Sequence, residues 1–344
     1  MKLVIDCLGG DNSPGANVEG SLIALDRLPG LELVLAGDEE AIKKELEKHN
    51  VSAGARAKIE ILHAPDVITG EDRPTDAIRL KRDSSMMKSI RLLREDPSVS
   101  GIVSLGATGS LVAAATLRIG RLPGVRRPCF CPILPTMSGG IVGVCDSGAN
   151  VDCTPIQLVQ FAVMGSAYMK NVYGIDNPRV SLLNIGTESE KGDDLRRTVY
   201  KALAGLAAEN VINFTGNMES RDLISGRHDL VVCDGFSGNV LIKTTEGTAL
   251  QLLKKIKKDI YSRPLYKFGA LFLKKMFAEE KEFMNYQNYG GSVLLGTEKT
   301  IVKGHGSSGS KAVAKCIEQA YKMVDSNLNG IIESAVSRLP EEYE

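Results

Sequence analysis

The sequence contains no tryptophan, and aromatic residues make up only 5% of its 344 residues. Many proteins that hold single-stranded nucleic acid stack its bases on exposed aromatic side chains, so this scarcity argues against that class. Lysine and arginine together number 42, as do aspartate and glutamate, and the formal net charge is therefore zero. Because there is no basic excess to attract a phosphate backbone, we predict no nucleic-acid partner.

Long apolar runs are also missing. No run approaches the roughly 20 consecutive apolar residues that span a bilayer. The N-terminal segment Met1–Asp6 is typical of a first β-strand and is too short for the apolar region of a signal peptide. The seven cysteines are odd in number and scattered, mostly in apolar segments, which is typical of buried reduced thiols. We therefore expect a cytoplasmic protein.

Several motifs of cofactor-dependent and nucleophilic enzymes are absent as well. No strand is followed by G-x-G-x-x-G, and no G-x-x-x-x-G-K-[ST] occurs, which argues against Rossmann dehydrogenases and P-loop enzymes. There is no G-x-S-x-G nucleophile motif, and four histidines leave few bases for a catalytic triad. Cys129 and Cys131 share one face of a strand, but no second pair or histidine stands at zinc spacing. We expect no cofactor and no metal.

What the sequence does contain is a regular alternation of short apolar strands with amphipathic helices. This rhythm predicts a mostly parallel sheet covered on both faces, an αβα sandwich, forming a single catalytic unit over residues 1–344. After residue 128 the rhythm changes, and the runs Cys129–Leu134 and Gly140–Cys145 are predicted to form an antiparallel hairpin. A single amphipathic helix is predicted to close the fold from Lys311 to Arg338.

Small and polar residues follow the predicted strands, and parallel strands bring such loops to one edge of a sheet. The strand Val180–Leu183 leads into a polar turn before the helix that starts at Asp193, and the strand Leu230–Cys233 leads into another before a long helix. Each turn has a simpler interpretation, as a solvated turn or a helix N-cap. The candidates for binding phosphate or substrate in these and neighbouring loops are Lys81, Gly106, Thr108, Gly109, Gly186, Glu188, Asn217, Ser237, Gly238 and Asn239.

The candidate catalytic residues are Lys191, Asn184, Asp234 and His305. A set so rich in cations, amides and backbone N–H groups, with poor nucleophile candidates, suits a reaction whose nucleophile arrives with the substrate. Phosphate is such a nucleophile, since as a dianion it needs positioning and charge compensation more than deprotonation. We predict that Lys191 and backbone N–H groups near Ser237 and Gly238 hold phosphate, and that Lys191 or His305 stabilises the oxyanion.

Residues 246–284 differ in composition from the rest and are predicted to form a protruding helical hairpin. From Lys254 to Phe277 there are eight lysines or arginines against one acid, Asp259. A basic hairpin with an apolar tip is typical of a membrane-surface element, and a dimer interface or a docking site for an acidic partner remain alternatives. The residues expected to make these contacts are Lys254, Lys258, Leu265, Phe268, Leu271, Phe272 and Lys274.

Nine segments together resemble the bacterial acyl-acyl carrier protein:phosphate acyltransferases of phospholipid synthesis. They are Asp6–Asp11 (DCLGGD), Lys81–Met86 (KRDSSM), Val103–Ser110 (VSLGATGS), Ser147–Pro155 (SGANVDCTP), Gln160–Gly165 (QFAVMG), Leu182–Gly192 (LLNIGTESEKG), Asn213–Glu219 (NFTGNME), Asp234–Lys243 (DGFSGNVLIK) and His305–Ser308 (HGSS). The sequence departs from the family pattern at Asn12, where a histidine is common, and at Ala107, where an asparagine is common.

The resemblance implies transfer of a long-chain acyl group from acyl carrier protein to inorganic phosphate, giving acyl phosphate. It also implies a fold like the phosphotransacetylases and the isocitrate and isopropylmalate dehydrogenases, a homodimer, and peripheral membrane contact through the basic hairpin. A downstream membrane glycerol-3-phosphate acyltransferase is a further expected partner. The alternatives are an NAD-dependent decarboxylating dehydrogenase of related fold and a non-enzymatic scaffold at the membrane surface.

Overall fold

The computed structural model describes residues 1–283, 286–341 and 343. Within them, strands alternate with helices along most of the chain. The strands are β1 (Lys2–Asp6), β2 (Glu32–Gly37), β3 (Ile59–His63), β4 (Val99–Ser104), β5 (Cys129–Cys131), β6 (Ile133–Pro135), β7 (Ile141–Cys145), β8 (Arg179–Asn184), β9 (Asn213–Glu219), β10 (Leu230–Val232), β11 (Ser292–Leu295) and β12 (Thr300–Lys303).

The helices cover both sheets and extend beyond them. They are α1 (Gly15–Arg27), α2 (Glu39–Glu47), α3 (Ala53–Arg56), α4 (Pro74–Leu80), α5 (Ser85–Glu95), α6 (Thr108–Ala114) with a π-helical continuation (Ala115–Ile119), α7 (Pro155–Tyr173), α8 (Asp194–Ala208), α9 (Gly235–Ser262), α10 (Pro264–Phe272), α11 (Lys274–Phe283), α12 (Ser310–Asp325) and α13 (Leu328–Val336). Two short 3₁₀ turns span Ser220–Asp222 and Tyr286–Tyr289.

The strands form two sheets. The first has the order β3-β2-β1-β4-β12-β11-β5, and its first five strands are parallel. The second has the order β6-β7-β10-β8-β9 and is parallel except for β6. Buried side chains fill the strands, as in β1, where Leu3, Val4 and Ile5 are fully buried. The prediction of a mostly parallel α/β fold is confirmed, with the sheet divided in two.

Three predicted boundaries differ from the structure. The run Cys129–Leu134 breaks at Pro132, which has no N–H for a ladder, so that β5 joins the first sheet and only β6 pairs with β7. Asn217, predicted in a loop after a strand, lies within β9. The closing helix is interrupted at Asn327, whose φ of +51° is left-handed, a conformation that asparagine tolerates.

The carboxyl ends of the parallel strands bring the polar loops together. In the first sheet, β4 and β12 run side by side and end at Ser104 and Lys303. In the second sheet, β7 and β10 end side by side at Cys145 and Val232. The sheets meet where β5 lies against β7, and there the Sγ atoms of Cys129 and Cys145 are 3.1 Å apart. Loops from both sheets therefore converge on one region.

Helix α9 starts in the core and then leaves it. Its buried residues, which include Gly235, Gly238 and Ile242, all lie in the first two turns. Beyond them, most side chains of α9, α10 and α11 are exposed, and Pro264 starts α10. Met284, the last residue of the predicted hairpin, is outside the described residues. Among the described helices, none is long and apolar enough to cross a membrane.

Candidate active site

Asp6, at the end of β1, organises three loops of the first sheet. Its buried carboxylate accepts hydrogen bonds from the backbone N–H of Gly9 (3.2 Å) and from the hydroxyl groups of Ser85 (2.5 Å) and Ser104 (2.6 Å). A Cβ at Gly9 would lie 2.5 Å from the backbone nitrogen of Gly106, so only glycine permits this approach. The loops that follow β1 and β4 and the start of α5 are thereby fixed to one another.

Asp146 fixes the loops of the second sheet to one another, as Asp6 does in the first. Its buried carboxylate accepts hydrogen bonds from the backbone N–H groups of Phe130 (2.9 Å), Ser147 (2.7 Å) and Asn150 (2.7 Å). Burial raises the pKa of the carboxyl group, although these hydrogen bonds oppose the shift. The first turn of α9 packs on this loop so closely that a Cβ at Gly238 would lie 2.0 Å from the Asp146 carbonyl oxygen. Asp146 thus fixes both its own loop and the start of α9.

Between these two assemblies lies a cavity of about 790 Å³, which we call the strand-end cavity. Its volume is within the range of roughly 300–1,000 Å³ that is typical of small-molecule sites. One wall comes from α6 and from the residues after β12, and the other from the Asp146 loop and α9. Its polar lining includes Thr108, Arg127, Ser147, Asn239, Lys243, Glu246, Lys303 and His305, and its apolar lining includes Val112, Leu117, Phe130, Ile133 and Ile242.

Lys303 is the buried cation of this cavity. Its Nζ donates hydrogen bonds to the carbonyl oxygens of Leu105 (3.2 Å) and Gly304, which ties the end of β12 to the end of β4. Burial lowers the pKa of the ammonium group to about 8, against an ordinary value of 10.5. A buried ammonium beside a cavity is suited to a small anion, whose charge would offset the cost of desolvating the lysine.

His305 supplies an N–H donor on the same wall. Its Nδ1 accepts a hydrogen bond from the backbone N–H of Ser307 (3.3 Å) and lies 2.9 Å from the Ser307 hydroxyl oxygen. Burial, and then the charge of Lys303, lower the pKa of the imidazole below its ordinary value of 6.5, which favours the neutral ring. With Nδ1 as acceptor, Nε2 carries the proton and can donate to a developing oxyanion.

Four of the predicted site residues line the strand-end cavity: Thr108, Gly109, Asn239 and His305. Gly106 lies behind them, with its N–H directed to the Ser104 hydroxyl group at 3.1 Å. The prediction missed the three cations of the lining, Arg127, Lys243 and Lys303. One feature of the sequence could have identified Lys303 as a site residue: it is a cation at the end of an apolar strand, directly before the His305–Ser308 motif.

A second group of predicted residues comes together in the turn after β8. The Asn184 side chain donates to the Lys191 carbonyl oxygen (3.0 Å), and the Asn217 side chain donates to the Glu188 carbonyl oxygen (2.7 Å). A Cβ at Gly186 would lie 2.8 Å from the Glu188 carboxylate. These contacts hold the backbone of the turn, and the side chain of Lys191 is exposed and does not line the strand-end cavity.

Asp234 caps helix α9. Its carboxylate accepts the backbone N–H of Ser237 (2.8 Å) and the Ser237 hydroxyl (2.9 Å), and the Gly238 N–H is directed to the Asp234 carbonyl (3.0 Å). Asp234 also forms an ion pair with Arg196, whose stem packs against Gly192. The two backbone N–H groups predicted to hold phosphate therefore already have partners, and Arg196 joins the Lys191 turn to the start of α9.

The remaining predicted residues lie elsewhere. The Lys81 ammonium is paired with the Asp72 carboxylate at 2.6 Å and donates to the Val67 carbonyl at 3.1 Å. The predicted hairpin residues Lys254, Lys258, Leu265, Phe268, Leu271, Phe272 and Lys274 are all exposed on α9, α10 and α11. No three His, Cys, Asp or Glu side chains of the described residues are grouped as a metal ion would require.

Comparison with known proteins relates this chain to acyltransferases. Residues 1–330 match the family described as fatty acid synthesis protein. The chain is 42% identical over 341 residues to a phosphate acyltransferase from Clostridium acetobutylicum, and 39% identical over 342 residues to one from Clostridioides difficile. These matches cover 99% of this chain and 99% and 98% of the two relatives.

The fold is also similar to that of solved structures. A phosphotransacetylase from Streptococcus pyogenes superposes with a TM-score of 0.59 and 15% identity, covering 94% of each chain. The phosphotransacetylase-like fold that the motifs implied is thereby confirmed. The chain belongs to the fatty acid synthesis protein family, and it is an acyltransferase.

Proposed function

We propose that this acyltransferase moves a long-chain acyl group from the thioester of acyl carrier protein to inorganic phosphate, giving acyl phosphate for phospholipid synthesis. The observation that carries the proposal is the strand-end cavity, where three cationic side chains and the His305 imidazole surround a space that also has apolar walls. The names of the two relatives support phosphate as the acceptor.

The proposed reaction needs positioning and charge compensation. A phosphate oxygen attacks the thioester carbonyl carbon, the tetrahedral intermediate collapses, and the carbon–sulfur bond breaks. The departing thiolate takes up the proton that hydrogen phosphate loses, so that acyl phosphate and the carrier-protein thiol are the products. No protein nucleophile is needed, because the enzyme brings two reactants together and stabilises the charge that develops.

The geometry suggests a role for each polar group. Lys303, Lys243 and Arg127 compensate the charge of phosphate, since all three line the same cavity. The Nε2–H of His305 donates to the thioester oxyanion. Asn239 lies one turn before Lys243 on α9, on the wall opposite Lys303 and His305, and orients the thioester. Asp6 and Asp146 are positioning residues, since each fixes the loops that form one wall.

The reaction is tested by measuring phosphate-dependent release of the carrier-protein thiol from palmitoyl-acyl carrier protein. Acyl phosphate is trapped in parallel with hydroxylamine as the hydroxamate. We expect one hydroxamate for each thiol released. Thiol release that is independent of phosphate and yields no hydroxamate would identify a hydrolase, and no release from the thioester would refute the proposed donor.

Lys191 remains a candidate for the oxyanion role, and its contribution can be separated from that of Lys303. Loss of a donor to the transition state costs on the order of 10²–10³ in kcat. Because the side chain of Lys191 is exposed and lies outside the cavity lining, we expect Lys191→Ala to retain more activity than Lys303→Met. If Lys191→Ala were the more damaging, the reactive centre would lie at the turn after β8 instead.

We also propose that the basic hairpin makes peripheral contact with the cytoplasmic face of the membrane. The proposal of membrane contact is supported by exposed apolar side chains next to the lysines of α9 and α11. Leu265 and Phe272, for example, are each 77% exposed. Such contact would deliver acyl phosphate to a membrane glycerol-3-phosphate acyltransferase. A homodimer that covers part of the same surface is compatible with this arrangement, and sedimentation of the wild-type protein tests it.

A further inference from the structure

Glu246 is the only acidic residue that lines the strand-end cavity, counted over the part of the chain that the structure describes. The other charged residues of that lining are the cations Arg127, Lys243 and Lys303. The side chain of Glu246 is half-buried, and its carboxylate forms no hydrogen bond or ion pair with another described residue. Removing an unpaired carboxylate partly from water costs free energy, so an acid in a cavity that attracts anions needs a chemical reason.

Helix α9 places Glu246 beside a cation. Glu246 follows Lys243 by three residues, about 4.5 Å along the axis, so both side chains leave the same face of the helix. Burial raises the pKa of the Glu246 carboxyl group above its ordinary value of 4.5, and the charge of Lys243 opposes that shift. The charge of Lys243 also acts on the pKa of His305, after burial and the charges of Lys303 and Asp11. A small anion paired with Lys243 would therefore have Glu246 and His305 as neighbours.

The proton of hydrogen phosphate is a feature that a carboxylate can recognise. Cations alone would hold phosphate and sulfate about equally, since both anions are tetrahedral and can carry two negative charges. Hydrogen phosphate keeps a P–OH group at neutral pH, whereas sulfate has no proton. An ionised carboxylate only accepts hydrogen bonds, so it gains one from the P–OH group and repels the corresponding oxygen of sulfate. A site that bonds a hydroxyl group of its substrate discriminates strongly against an analogue that lacks the hydroxyl group.

We propose that Glu246 is a catalytic residue that accepts the proton of hydrogen phosphate, and that it thereby selects phosphate over sulfate in the strand-end cavity. This inference rests on the proposed function. The carboxylate lines the same cavity as the cations that compensate the phosphate charge, it is adjacent to Lys243, and no other described residue takes up its hydrogen-bonding capacity. The cations bind the unprotonated oxygens of phosphate, and Glu246 binds the protonated one.

The same contact gives the reaction a path for the proton. An unprotonated phosphate oxygen forms the new bond to the thioester carbonyl carbon, and the carbon–sulfur bond then breaks. The P–OH proton passes to the Glu246 carboxylate and from there to the sulfur of the departing thiolate. The products are acyl phosphate and the carrier-protein thiol, and the carboxylate is regenerated without a further reactant. The burial that raises the pKa of Glu246 makes its carboxylate a better proton acceptor than an exposed one.

The experiment compares Glu246→Gln with Asp259→Asn in the full-length protein. Asp259 lies on the same helix, its carboxylate pairs with Lys255 at 2.5 Å, and it does not line the strand-end cavity. Each substitution replaces a carboxylate by the amide of the same size, so the pair controls for the loss of one negative charge. The affinities for inorganic phosphate and for sulfate are measured by titration calorimetry, and kcat is measured by thiol release from palmitoyl-acyl carrier protein.

We expect the wild-type protein to bind phosphate at least about tenfold more tightly than sulfate. Glu246→Gln should bind sulfate at least about tenfold more tightly than the wild type does and phosphate within about threefold, because the amide can donate to sulfate and can still accept from the P–OH group. Its kcat should fall on the order of 10², since an amide does not take up the proton. Asp259→Asn should match the wild type in all three measurements.

The ratio of the two affinities separates recognition of the proton from simple repulsion. If Glu246 only repelled anions, Glu246→Gln would bind phosphate and sulfate more tightly by the same factor, and that result would overturn the proposal. An unchanged ratio for any other reason, or an unchanged kcat, would overturn it too. A wild-type protein that prefers phosphate, loses this preference in Glu246→Gln and yet transfers no acyl group would refute the proposed function and leave the phosphate site intact.

Discussion

The buried ammonium group of Lys303 gives the proposed site a specific dependence on pH. Burial holds the pKa of Lys303 at about 8, so the side chain loses its charge in an accessible range. For a single titration with this pKa, about nine-tenths of the molecules are charged at pH 7 and about one-tenth at pH 9. If phosphate binds only the charged form, kcat/KM for phosphate should fall about tenfold between these pH values, because kcat/KM reports the free enzyme.

Lys303→Arg separates this charge from the general effects of alkaline pH. A guanidinium group stays protonated above pH 12, so the variant should keep measurable activity and lose the fall near pH 8. Lys303→Met removes the charge and should cost on the order of 10² in activity at pH 7. The assay is thiol release as a function of phosphate concentration, from about pH 6.5 to about pH 9.5.

Lys299 provides a matched control at the other end of the same pair of strands. Its Nζ donates to the Val99 carbonyl oxygen at 3.0 Å, as Lys303 Nζ donates to the Leu105 carbonyl oxygen, but Lys299 does not line the strand-end cavity. Lys299→Arg should leave the pH profile unchanged. A fall near pH 8 that persists in Lys303→Arg, or that disappears equally in Lys299→Arg, would refute the role assigned to the Lys303 charge.

Alkaline unfolding driven by Lys303 is not an alternative explanation. The pKa of Lys303 in the folded protein is below that of an unfolded lysine, so between about pH 8 and pH 10.5 the unfolded chain binds more protons. This group therefore makes the protein more stable as pH rises through that window. Thermal unfolding measured across the same range would show whether the fold persists where activity is lost.

Two further predictions concern packing and the membrane. Gly238→Ala should lower the free energy of unfolding by roughly 1–3 kcal/mol, because its Cβ would lie 2.0 Å from the Asp146 carbonyl oxygen. Gly247→Ala, on the same helix, should raise the free energy of unfolding by about 1 kcal/mol, because its Cβ would meet no atom within 4 Å. Thermal unfolding of the two variants and the wild-type protein tests both values. Replacing Leu265 and Phe272 together with aspartate should abolish liposome flotation and leave activity in solution unchanged, and flotation equal to wild type would refute the membrane role.

The sequence alone was sufficient for the class of fold and for the convergence of several loops that carry candidate residues. Apolar runs that alternate with amphipathic helices predict parallel strands, and parallel strands place the loops at their carboxyl ends on one edge. For this reason Thr108, Asn239 and His305, which are far apart in the chain, line one cavity. Glycine and polar residues after each strand were adequate signals, because the backbone turns there whatever the tertiary packing.

Features that depend on contacts between elements could not be predicted in this way. The pKa of Lys303 follows from burial against the end of β4 and against α12, and no local pattern reports that packing. Similarly, the polar residues at the start of α9 suggested free N–H groups for an anion. In the structure the carboxylate and carbonyl of Asp234 take the N–H groups of Ser237 and Gly238, an outcome that the same sequence motif allows equally well.

The position of α9 links the chemistry to the hairpin. Gly235 and Gly238 let the helix backbone approach the Asp146 loop, where a side chain on either would meet backbone oxygens of Asn150 or Asp146 within 2.6 Å. The first turns of α9 are therefore fixed relative to the strand-end cavity, whereas its outer half is exposed. A displacement of the hairpin on contact with a membrane would pivot about this fixed end. Such a displacement would leave Asn239 and the cations that line the strand-end cavity in place, so membrane contact should leave the affinity for phosphate unchanged.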